Sequence, residues 1–309
     1  MAQPPLVSII VVNWNGHEFL DRCLRAVRAQ TLADYRVVFV DNGSTDGSAD
    51  WVAAHFPEVD AIRLAQNIGF AGANNTGIAA STSRYVATLN NDTWVGPGWL
   101  AALVGAAESD EQIGMCASRI LLADRPSVID SAGLFVDGMG FAWQRGHGQS
   151  DAGAYRRPEV IFGPSAAAAL YRRAMLDRIG GFDVDFGSYY EDVDLAWRAR
   201  RNGWRCRYAP DAEVLHVHSA TGRRDPDRKM YLLTRNRWWT VAKNYPTPRL
   251  WLALPLMLAC DLAVLLRDLG RRRGRAPVAA RIEAARGMRR MWRKRQQLNE
   301  STRDPERHR

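Results

Sequence analysis

Cysteine is scarce in this chain of 309 residues, and its pattern carries no metal or redox signature. The four cysteines, Cys23, Cys116, Cys206 and Cys260, are scattered, and no two of them form a C-x-x-C pair. We therefore expect no zinc or redox motif and predict reduced thiols in a cytosolic compartment. The phosphate-binding signatures G-x-x-x-x-G-K-S/T and G-x-G-x-x-G are also absent, so the sequence supports neither a P-loop nor a dinucleotide fingerprint.

Long hydrophobic runs are equally few. The run Leu6–Val12 has no basic residue before it and soon meets polar residues, which is typical of a buried first strand rather than of a secretion signal. The longer run Leu250–Leu266 spans about 17 residues and contains Pro255 and Asp261, whereas a membrane span needs about 20 apolar residues. We expect an interfacial segment there rather than a span.

Excess positive charge is missing from most of the chain. The net charge is +9, but 15 of the 42 basic residues and only 5 of the 33 acidic residues follow Leu266. The first 266 residues therefore carry 27 basic and 28 acidic groups. A nearly neutral body argues against a protein that wraps nucleic acid, because such proteins present a basic surface.

What is present is a regular alternation of strands and helices over the first 90 residues. Val7–Val12 is a continuous β-branched run, typical of a strand buried on both faces, and positions 18–30 have apolar residues at helical spacing. This alternation predicts an α/β fold with a doubly wound, mostly parallel sheet. The further predicted elements are strands at Tyr35–Val40, Ala61–Leu64 and Tyr85–Leu89 and helices at Ser48–Phe56 and Gly72–Ser81.

The second half is less regular, and it ends in a basic tail. We predict helices at Trp99–Glu108 and Asp192–Arg201, strands at Arg207–Tyr208 and Glu213–His218, and helical structure from about residue 228 onward. The apolar run before the tail, followed by the arginine cluster at 267–275 and a basic stretch at 281–295, is typical of a segment that lies on an anionic membrane leaflet. A solvated basic helix that packs on the body is the alternative.

Polar residues follow three of the predicted strands directly, where ligands bind in open α/β sheets. They are Asn13, Asp41 and Asn90-Asn91-Asp92. The Asp41 carboxylate could accept hydrogen bonds from a base or ribose, although an Asp that caps the next helix gives the same pattern. Asp92 could bind a divalent cation shared with a diphosphate, although an Asn-Asp turn is equally consistent with the sequence.

Three further motifs carry candidate site residues. The stretch from Asn67 to Gly77 has small residues and interleaved asparagines, which allow a ligand to approach the backbone closely, although tight loop–helix packing explains it as well. Three carboxylates between positions 191 and 194 suit a helix start, but one of them could act as a base. His216 and His218 share a strand face, so one could ligate a metal, although a structural histidine is the alternative.

The order of these motifs resembles that of the family 2 glycosyltransferases, which have the GT-A fold, and within them the bacterial rhamnosyltransferase-like branch. The branch is indicated by the segments Asp130-Ser-Ala-Gly, Gly180-Gly-Phe-Asp and Glu191-Asp-Val-Asp-Leu-Ala-Trp-Arg. The resemblance covers residues from about 6 to 245. It implies a GT-A domain over residues 1–245, with a Rossmann-like nucleotide-sugar half at about 1–110 and an acceptor half at 111–245. An amphipathic, arginine-rich helical extension would occupy residues 246–309.

The resemblance also implies a role for each candidate residue. Asp192 would be the general base, and Asp92 would hold Mg²⁺ or Mn²⁺ together with His216, or with His218 as the alternative. The usual Asp-x-Asp metal motif is here Asn90-Asn91-Asp92, so two negative charges are missing. The residues expected at the nucleotide sugar are Asn13, Asp41, Asn67, Gly69, Asn75, Asn90, Asn91 and Glu191.

The implied reaction is a single inverting displacement that moves a sugar from a nucleotide diphosphate to a glycan or lipid-linked acceptor in cell-surface polysaccharide synthesis. Rhamnose from dTDP-rhamnose is the predicted donor, and a UDP-hexose is the alternative. We expect a cytoplasmic enzyme, peripheral on the inner face of the cell membrane, that binds no nucleic acid. There are two competing hypotheses. One is a nucleotidyltransferase, and the other is a membrane or nucleic-acid scaffold that acts through the basic tail.

Overall fold

The first four strands form the parallel half of a central sheet. The computed structural model describes residues 3–218, 225–271 and 274–303. Strands β1 (Val7–Asn13), β2 (Tyr35–Asp41), β3 (Asp60–Arg63) and β4 (Tyr85–Asn90) pair in parallel in the order β4-β1-β2-β3. Between them run the helices α1 (His17–Arg28), α2 (Ser48–His55) and α3 (Gly69–Ala79). The predicted parallel pairing is confirmed for this half.

The sheet continues beyond β4 as a mixed sheet. The further strands are β5 (Thr93–Val95), β6 (Ile113–Leu122), β7 (Arg125–Ser131), β10 (Glu159–Ile161), β11 (Ala168–Arg172) and β12 (Arg205–His216), with a separate hairpin of β8 (Leu134–Val136) and β9 (Ala142–Gln144). Strand β11 runs antiparallel to both β4 and β6, and β12 runs parallel to β6. The short strands β5, β7 and β10 pair antiparallel to their neighbours, so the parallel pairing of the first half does not extend through the second.

One long strand replaces the two that the sequence predicts near residue 210. β12 is continuous, with an irregular pairing between Ala209 and Glu213, and it ends at His216. His218 therefore lies beyond the strand. The remaining helices are α4 (Trp99–Glu108), α5 (Arg173–Ile179), α6 (Glu191–Arg201), α7 (Pro226–Asn244), α8 (Thr247–Gly270) and α9 (Ala276–Arg303), with short 3₁₀ turns at Gly153–Arg156 and Val184–Phe186.

The three C-terminal helices share a hydrophobic core with the chain around the start of α6. Trp239 of α7 and Met291 of α9 pack in the same cluster as Phe186 and Tyr190, and the Trp239 indole Nε1–H donates to the Ala284 carbonyl at 3.1 Å. Burial of aromatic side chains in a shared cluster favours a fixed arrangement of these elements. The division of the chain at residue 245 stays a prediction.

Four of the seven basic residues between positions 281 and 295 have partners within the protein outside α9, and the membrane role of this stretch stays a prediction. Lys294 Nζ lies 2.5 Å from Asp183 and Arg290 Nε lies 2.9 Å from Asp185. Arg281 pairs with Asp261 at 2.7 Å, and Arg295 donates to the Ala242 carbonyl at 3.0 Å. Because counting charges does not reveal an internal partner, the sequence could not distinguish this packing from a solvated patch.

Helix α8 presents its apolar residues outward. Its 24 residues exceed the apolar run seen in the sequence, so by length and composition alone the helix could cross a membrane. This corrects the argument that the segment is too short. The inward face carries Leu250, Met257, Asp261 and Asp268, which are buried. The exposed large apolar residues are Trp251, Leu252, Leu256, Leu258, Leu262, Leu266 and Leu269.

We expect Gly287→Ala to destabilise the packing of α9 on α7. A Cβ at Gly287 would lie 2.5 Å from the Trp239 ring, and overpacking of this kind costs about 1–3 kcal/mol. Gly105→Ala in α4 is the matched control, since a Cβ there meets no atom within 4 Å, and alanine favours a helix by about 0.5–1 kcal/mol. Urea unfolding of both variants measures the effect, and equal stability of the two would contradict the packing.

Candidate active site

The carboxyl ends of β1 and β2 bring the first predicted residues together. Asn13 and Asp41 are register partners in the parallel pair, and both are buried. The Asn13 amide donates to Asp41 Oδ1 at 3.3 Å and to Ser44 Oγ at 3.1 Å, while Asp41 Oδ2 accepts from the Ser44 amide at 3.2 Å. Asn91 Nδ2 donates to Asn13 Oδ1 at 2.5 Å, which extends this polar cluster to the end of β4.

The backbone of the loop before α3 lies very close to a neighbouring segment of the chain. The Asn42 side chain donates to Asn67 Oδ1 at 3.1 Å, and the same oxygen accepts from the Gly69 amide at 2.8 Å. Gly69 has a φ of +81°, and a Cβ on it would lie 2.9 Å from the Gly187 Cα. Only glycine combines that backbone conformation with so close a neighbour.

Asn75 links α3 to the loop that leads to α6. Its Nδ2 donates to the Phe182 carbonyl at 2.7 Å, and its Oδ1 accepts from the Phe182 amide at 2.9 Å. Both ends of the amide therefore hold these two segments together, and the expected place of Asn75 at the nucleotide sugar stays a prediction.

A chain of acidic groups and histidines lies where β5, β7 and β12 meet. His216 Nε2 is 3.3 Å from Asp92 Oδ1, and His216 Nδ1 is 2.6 Å from Asp130 Oδ2. His218 Nδ1 lies 2.7 Å from Asp130 Oδ1 although His218 is beyond the strand. The amide of Val217 donates to the Asp92 carbonyl at 3.0 Å. This bond holds the end of β12, with His216, beside Asp92.

Sequence reasoning did not assign Asp130 to the site, although its segment helped to indicate the family branch. Asp130 lies 86 positions from His216 and reaches it because β7 and β12 both pair with β6. A carboxylate on one ring nitrogen orients a histidine whose other nitrogen faces a metal. Burial lowers the pKa of His216, but its contacts with Asp130 and Asp92 outweigh that effect and raise the pKa to about 10.

The donor set around Asp92 fits a hard or borderline divalent cation. Asp92 Oδ1 is buried, makes no hydrogen bond of good geometry in the described part of the chain and lies opposite His216 Nε2 at 3.3 Å, so this oxygen and the ring nitrogen could share a cation. Asp130, His216 and His218 also offer one ligand atom each, and these atoms lie within 4.8 Å of one another. Carboxylate oxygen and imidazole nitrogen are ligands suited to Mn²⁺, and carboxylates also suit Mg²⁺.

A strained turn precedes the carboxylates of α6. Tyr189 and Tyr190 have φ values of +67° and +69°, a conformation that costs free energy unless the surroundings impose it. Here the Asn236 side chain of α7, fully buried, donates to the carbonyls of Phe186, Ser188 and Tyr189 at 2.9, 2.9 and 2.7 Å. No signal in the sequence pointed to Asn236, because its partners are backbone carbonyls.

The three carboxylates at the start of α6 have different environments. Asp194 is fully buried and accepts from Arg198, Lys243 and Asn244, so it is structural. Burial raises the pKa of Asp192 to about 6, although backbone amides of Ala166 and Val193 oppose this shift. Burial and the charge of Asp192 raise the pKa of Glu191 well above its usual value. The role of Asp192 as the base stays a prediction.

Comparison with known proteins relates this arrangement to sugar transfer. The model of the family described as Glycosyl transferase family 2 matches residues 8–180. The N-acetylglucosaminyl-diphospho-decaprenol L-rhamnosyltransferase of Mycobacterium tuberculosis is 28% identical over 268 residues, covering 76% of this chain and 86% of the relative. The pre-mycofactocin glycosyltransferase of the same species is 33% identical over 214 residues, covering 69% of this chain and 43% of the relative.

Two solved structures share the fold. GalNAc-T7 with UDP, GalNAc and Mn²⁺ superposes with a TM-score of 0.62 at 15% identity, covering 78% of this chain and 48% of the other. The mannosyltransferase PcManGT from Pyrobaculum calidifontis, in complex with GDP-Man and Mn²⁺, gives a TM-score of 0.58 at 20% identity. This match covers 98% of this chain and 87% of the other. The predicted GT-A architecture with a helical extension is thus confirmed, and the chain is a glycosyltransferase that belongs to glycosyl transferase family 2.

Proposed function

We propose that the protein is an inverting glycosyltransferase that moves rhamnose from dTDP-rhamnose to a lipid-linked acceptor. The observation that carries this proposal is the place of Asp192. Its Oδ2 accepts from the Ala166 amide at 3.3 Å, and the next carbonyl, that of Ala167, accepts from the Asn90 amide at 2.8 Å, so the carboxylate lies beside the strand end that carries Asp92. Burial also raises the pKa of Asp192 to about 6, which suits a general base. The rhamnosyl donor and the lipid-linked acceptor are supported by the name of the 28% identical relative.

The nucleotide would lie over the ends of β1 and β2. Asp41 is held in place by Asn13 and Ser44, and its carboxylate would accept hydrogen bonds from the base. Asn67, Gly69, Asn90 and Asn91 line the same edge of the sheet and would contact the nucleotide sugar. Preorganised polar groups of this kind lower the entropy cost of binding.

Asp92 and His216 would hold the Mg²⁺ or Mn²⁺ ion, with His216 as the neutral imidazole that has given up its Nε2 proton. Such an ion, when bound, neutralises the negative charge of the leaving nucleoside diphosphate. Asp130 fixes the ring of His216 through Nδ1, so Nε2 is presented toward Asp92. Because the motif has one carboxylate in place of two, Asp130 and the histidines supply the polar surroundings that a second Asp would otherwise provide.

Asp192 would act as the general base. Its carboxylate would take the proton from the acceptor hydroxyl while that oxygen forms a bond to the anomeric carbon and the bond to the diphosphate breaks. One displacement inverts the anomeric configuration, and no covalent sugar intermediate is needed. A positioned base contributes about 10²–10⁴ in rate.

Nucleotide binding tests the donor site. With wild-type protein we expect dTDP to raise the melting temperature and Mn²⁺ to enlarge that shift, since a ligand at 100 Kd stabilises a protein by about 2.7 kcal/mol. Asp92→Asn should lose the Mn²⁺-dependent part, whereas Asp50→Asn, an exposed control, should keep it. A larger shift with UDP than with dTDP would contradict the rhamnosyl donor, and no shift with any nucleoside diphosphate would contradict the site.

Replacement of the base tests the reaction. Asp192→Asn should lower the transfer rate by about 10²–10⁴ and leave the dTDP shift unchanged. Asp177→Asn, at an exposed position on α5, is the control and should keep the wild-type rate. Since Asp192 must be ionised and its pKa is about 6, the wild-type rate should rise as the pH rises through about 6. A flat profile from pH 5 to pH 8 would speak against this base.

The exposed apolar face of α8 supports a peripheral position on the inner face of the cell membrane. Amphipathic helices bury such a face at the boundary between headgroups and acyl chains. Arg271 and Arg275, which follow α8, are exposed and would face anionic headgroups. Each arginine would contribute about 1 kcal/mol to the free energy of membrane binding.

Vesicle sedimentation tests that position. The double variant Leu258→Glu, Leu262→Glu should lose binding to phosphatidylglycerol vesicles, because both side chains are more than half exposed on α8. Val160→Glu, at an exposed apolar site on β10, is the control and should bind as the wild type does. Equal binding by all three proteins would exclude α8 as the membrane contact.

A further inference from the structure

A small cavity lies where the ends of α6 and α7 meet the start of α8 and the last turns of α9. Its volume is about 190 Å³, room for several water-sized groups, since a water molecule occupies about 30 Å³. Arg201 of α6, Thr247 of α8, and Arg295 and Asn299 of α9 line it. Among the described residues, the lining has two guanidinium groups and no carboxylate, and it includes no residue assigned to the donor, the metal or the base.

Both guanidinium groups contact neutral oxygens. Arg201 Nη2 donates to Asn299 Oδ1 at 2.5 Å, and Arg295 donates to the Ala242 carbonyl at 3.0 Å and to Thr247 Oγ1 at 2.5 Å. Within residues 3–218, 225–271 and 274–303, neither arginine forms an ion pair with an aspartate or a glutamate. Arg295 is only 3% exposed, so water cannot replace the missing counter-charge, and a buried charge without one is costly.

The helix ends around the cavity do not balance the two positive charges. Burial lowers the pKa of both arginines, and the charge of Arg201 lowers the pKa of Arg295 further. The carboxyl ends of α6 and α7 each contribute about half a negative charge, whereas the start of α8 adds about half a positive charge. An excess of about one and a half positive charges therefore remains at the cavity.

We propose that this cavity binds a phosphate group between Arg201 and Arg295. A phosphate monoester carries about 1.5–2 negative charges at neutral pH and three strong acceptor oxygens, which matches the excess. Each guanidinium group would donate to a separate oxygen, since its planar fork suits phosphate, and the first turn of α8 would add its dipole. The bound group would hold the last turn of α6 against α9. The proposal does not depend on the donor or acceptor of the proposed function.

Two sources carry this chemistry, a phosphate ester in solution and the headgroup of a membrane lipid. Trp251, one turn after Thr247 on α8, is 59% exposed and stacks on Trp292 with 6.3 Å between the ring centroids. Indole rings are typical of the headgroup level of a bilayer. If α8 lies on the membrane, the cavity would therefore lie at the depth of the lipid phosphates.

Thermal unfolding of the full chain in inorganic phosphate tests the site. Potassium phosphate should raise the melting temperature above the value in potassium chloride of equal ionic strength, which controls for screening. Arg201→Gln should weaken the phosphate affinity about tenfold or more, whereas Arg293→Gln, at an exposed position on α9, should keep it. A phosphate effect that is absent from the wild type, or equal in all three proteins, would overturn the proposal.

A carboxylate built into the cavity gives an independent test, which also decides if Arg201→Gln does not fold. Asn299→Asp places a negative charge where Oδ1 already accepts from Arg201. Without phosphate this variant should melt at a higher temperature than the wild type, and it should lose the phosphate effect, because its own carboxylate meets the excess charge. Gln297→Glu, exposed on the same helix, should do neither. An Asn299→Asp protein that melts lower, or that keeps the full phosphate effect, would overturn the proposal.

Sedimentation with phosphatidylglycerol vesicles identifies the source of the phosphate. If the ligand is a headgroup, Arg201→Gln should bind the vesicles about tenfold more weakly than Arg293→Gln does, and inorganic phosphate should compete with the vesicles. If both variants bind the vesicles equally while only Arg201→Gln loses the phosphate effect, the ligand is a soluble phosphate. If Arg201→Gln changes neither measurement, the proposal fails.

Discussion

Two buried carboxylates, Asp92 and Asp130, lie on either side of the His216 ring. The second half of the sheet is arranged around that contact. Burying like charges is costly unless a cation lies between them. His216 can lie there only because β12 runs beside β6 and β5, and Asp130 only because β7 pairs on the other edge of β6. The mixed strand order of this half follows from the need to gather these groups beside β4.

The C-terminal helices hold the turn that leads into α6. Asn236 of α7 bonds the left-handed turn before α6, and Lys243 of the same helix neutralises Asp183 and Asp194. The packing of Trp239 against the backbone of α9 then fixes α7. A helix that looks like an appendage in the sequence thus determines where Asp192, the proposed base, lies relative to the sheet.

Sequence reasoning succeeded where a residue's position along the chain decides its place. Asn13, Asp41 and Asp92 follow strands directly, and the parallel pairing of β1, β2 and β4 brings their ends to one edge. It could not identify a partner that is distant in the chain or has no sequence signal. The ends of the Asn75 amide meet backbone atoms 107 positions away, and the cations of α9 meet Asp183 and Asp185. Periodicity predicts which face of a helix is buried but not which charge it meets there.

The pairing of Asp183 with Lys294, 111 positions later in the chain, has a consequence for biosynthesis. A nascent chain begins to fold from its N-terminal side, so the parallel half of the sheet can form while α9 is still inside the ribosome. Until α9 emerges, Asp183 and Asp185 lack Lys294 and Arg290, and the Trp239 side of α7 is uncovered. The half that we propose to bind the donor is therefore complete early, whereas the turn that carries Asp192, the proposed base, matures last.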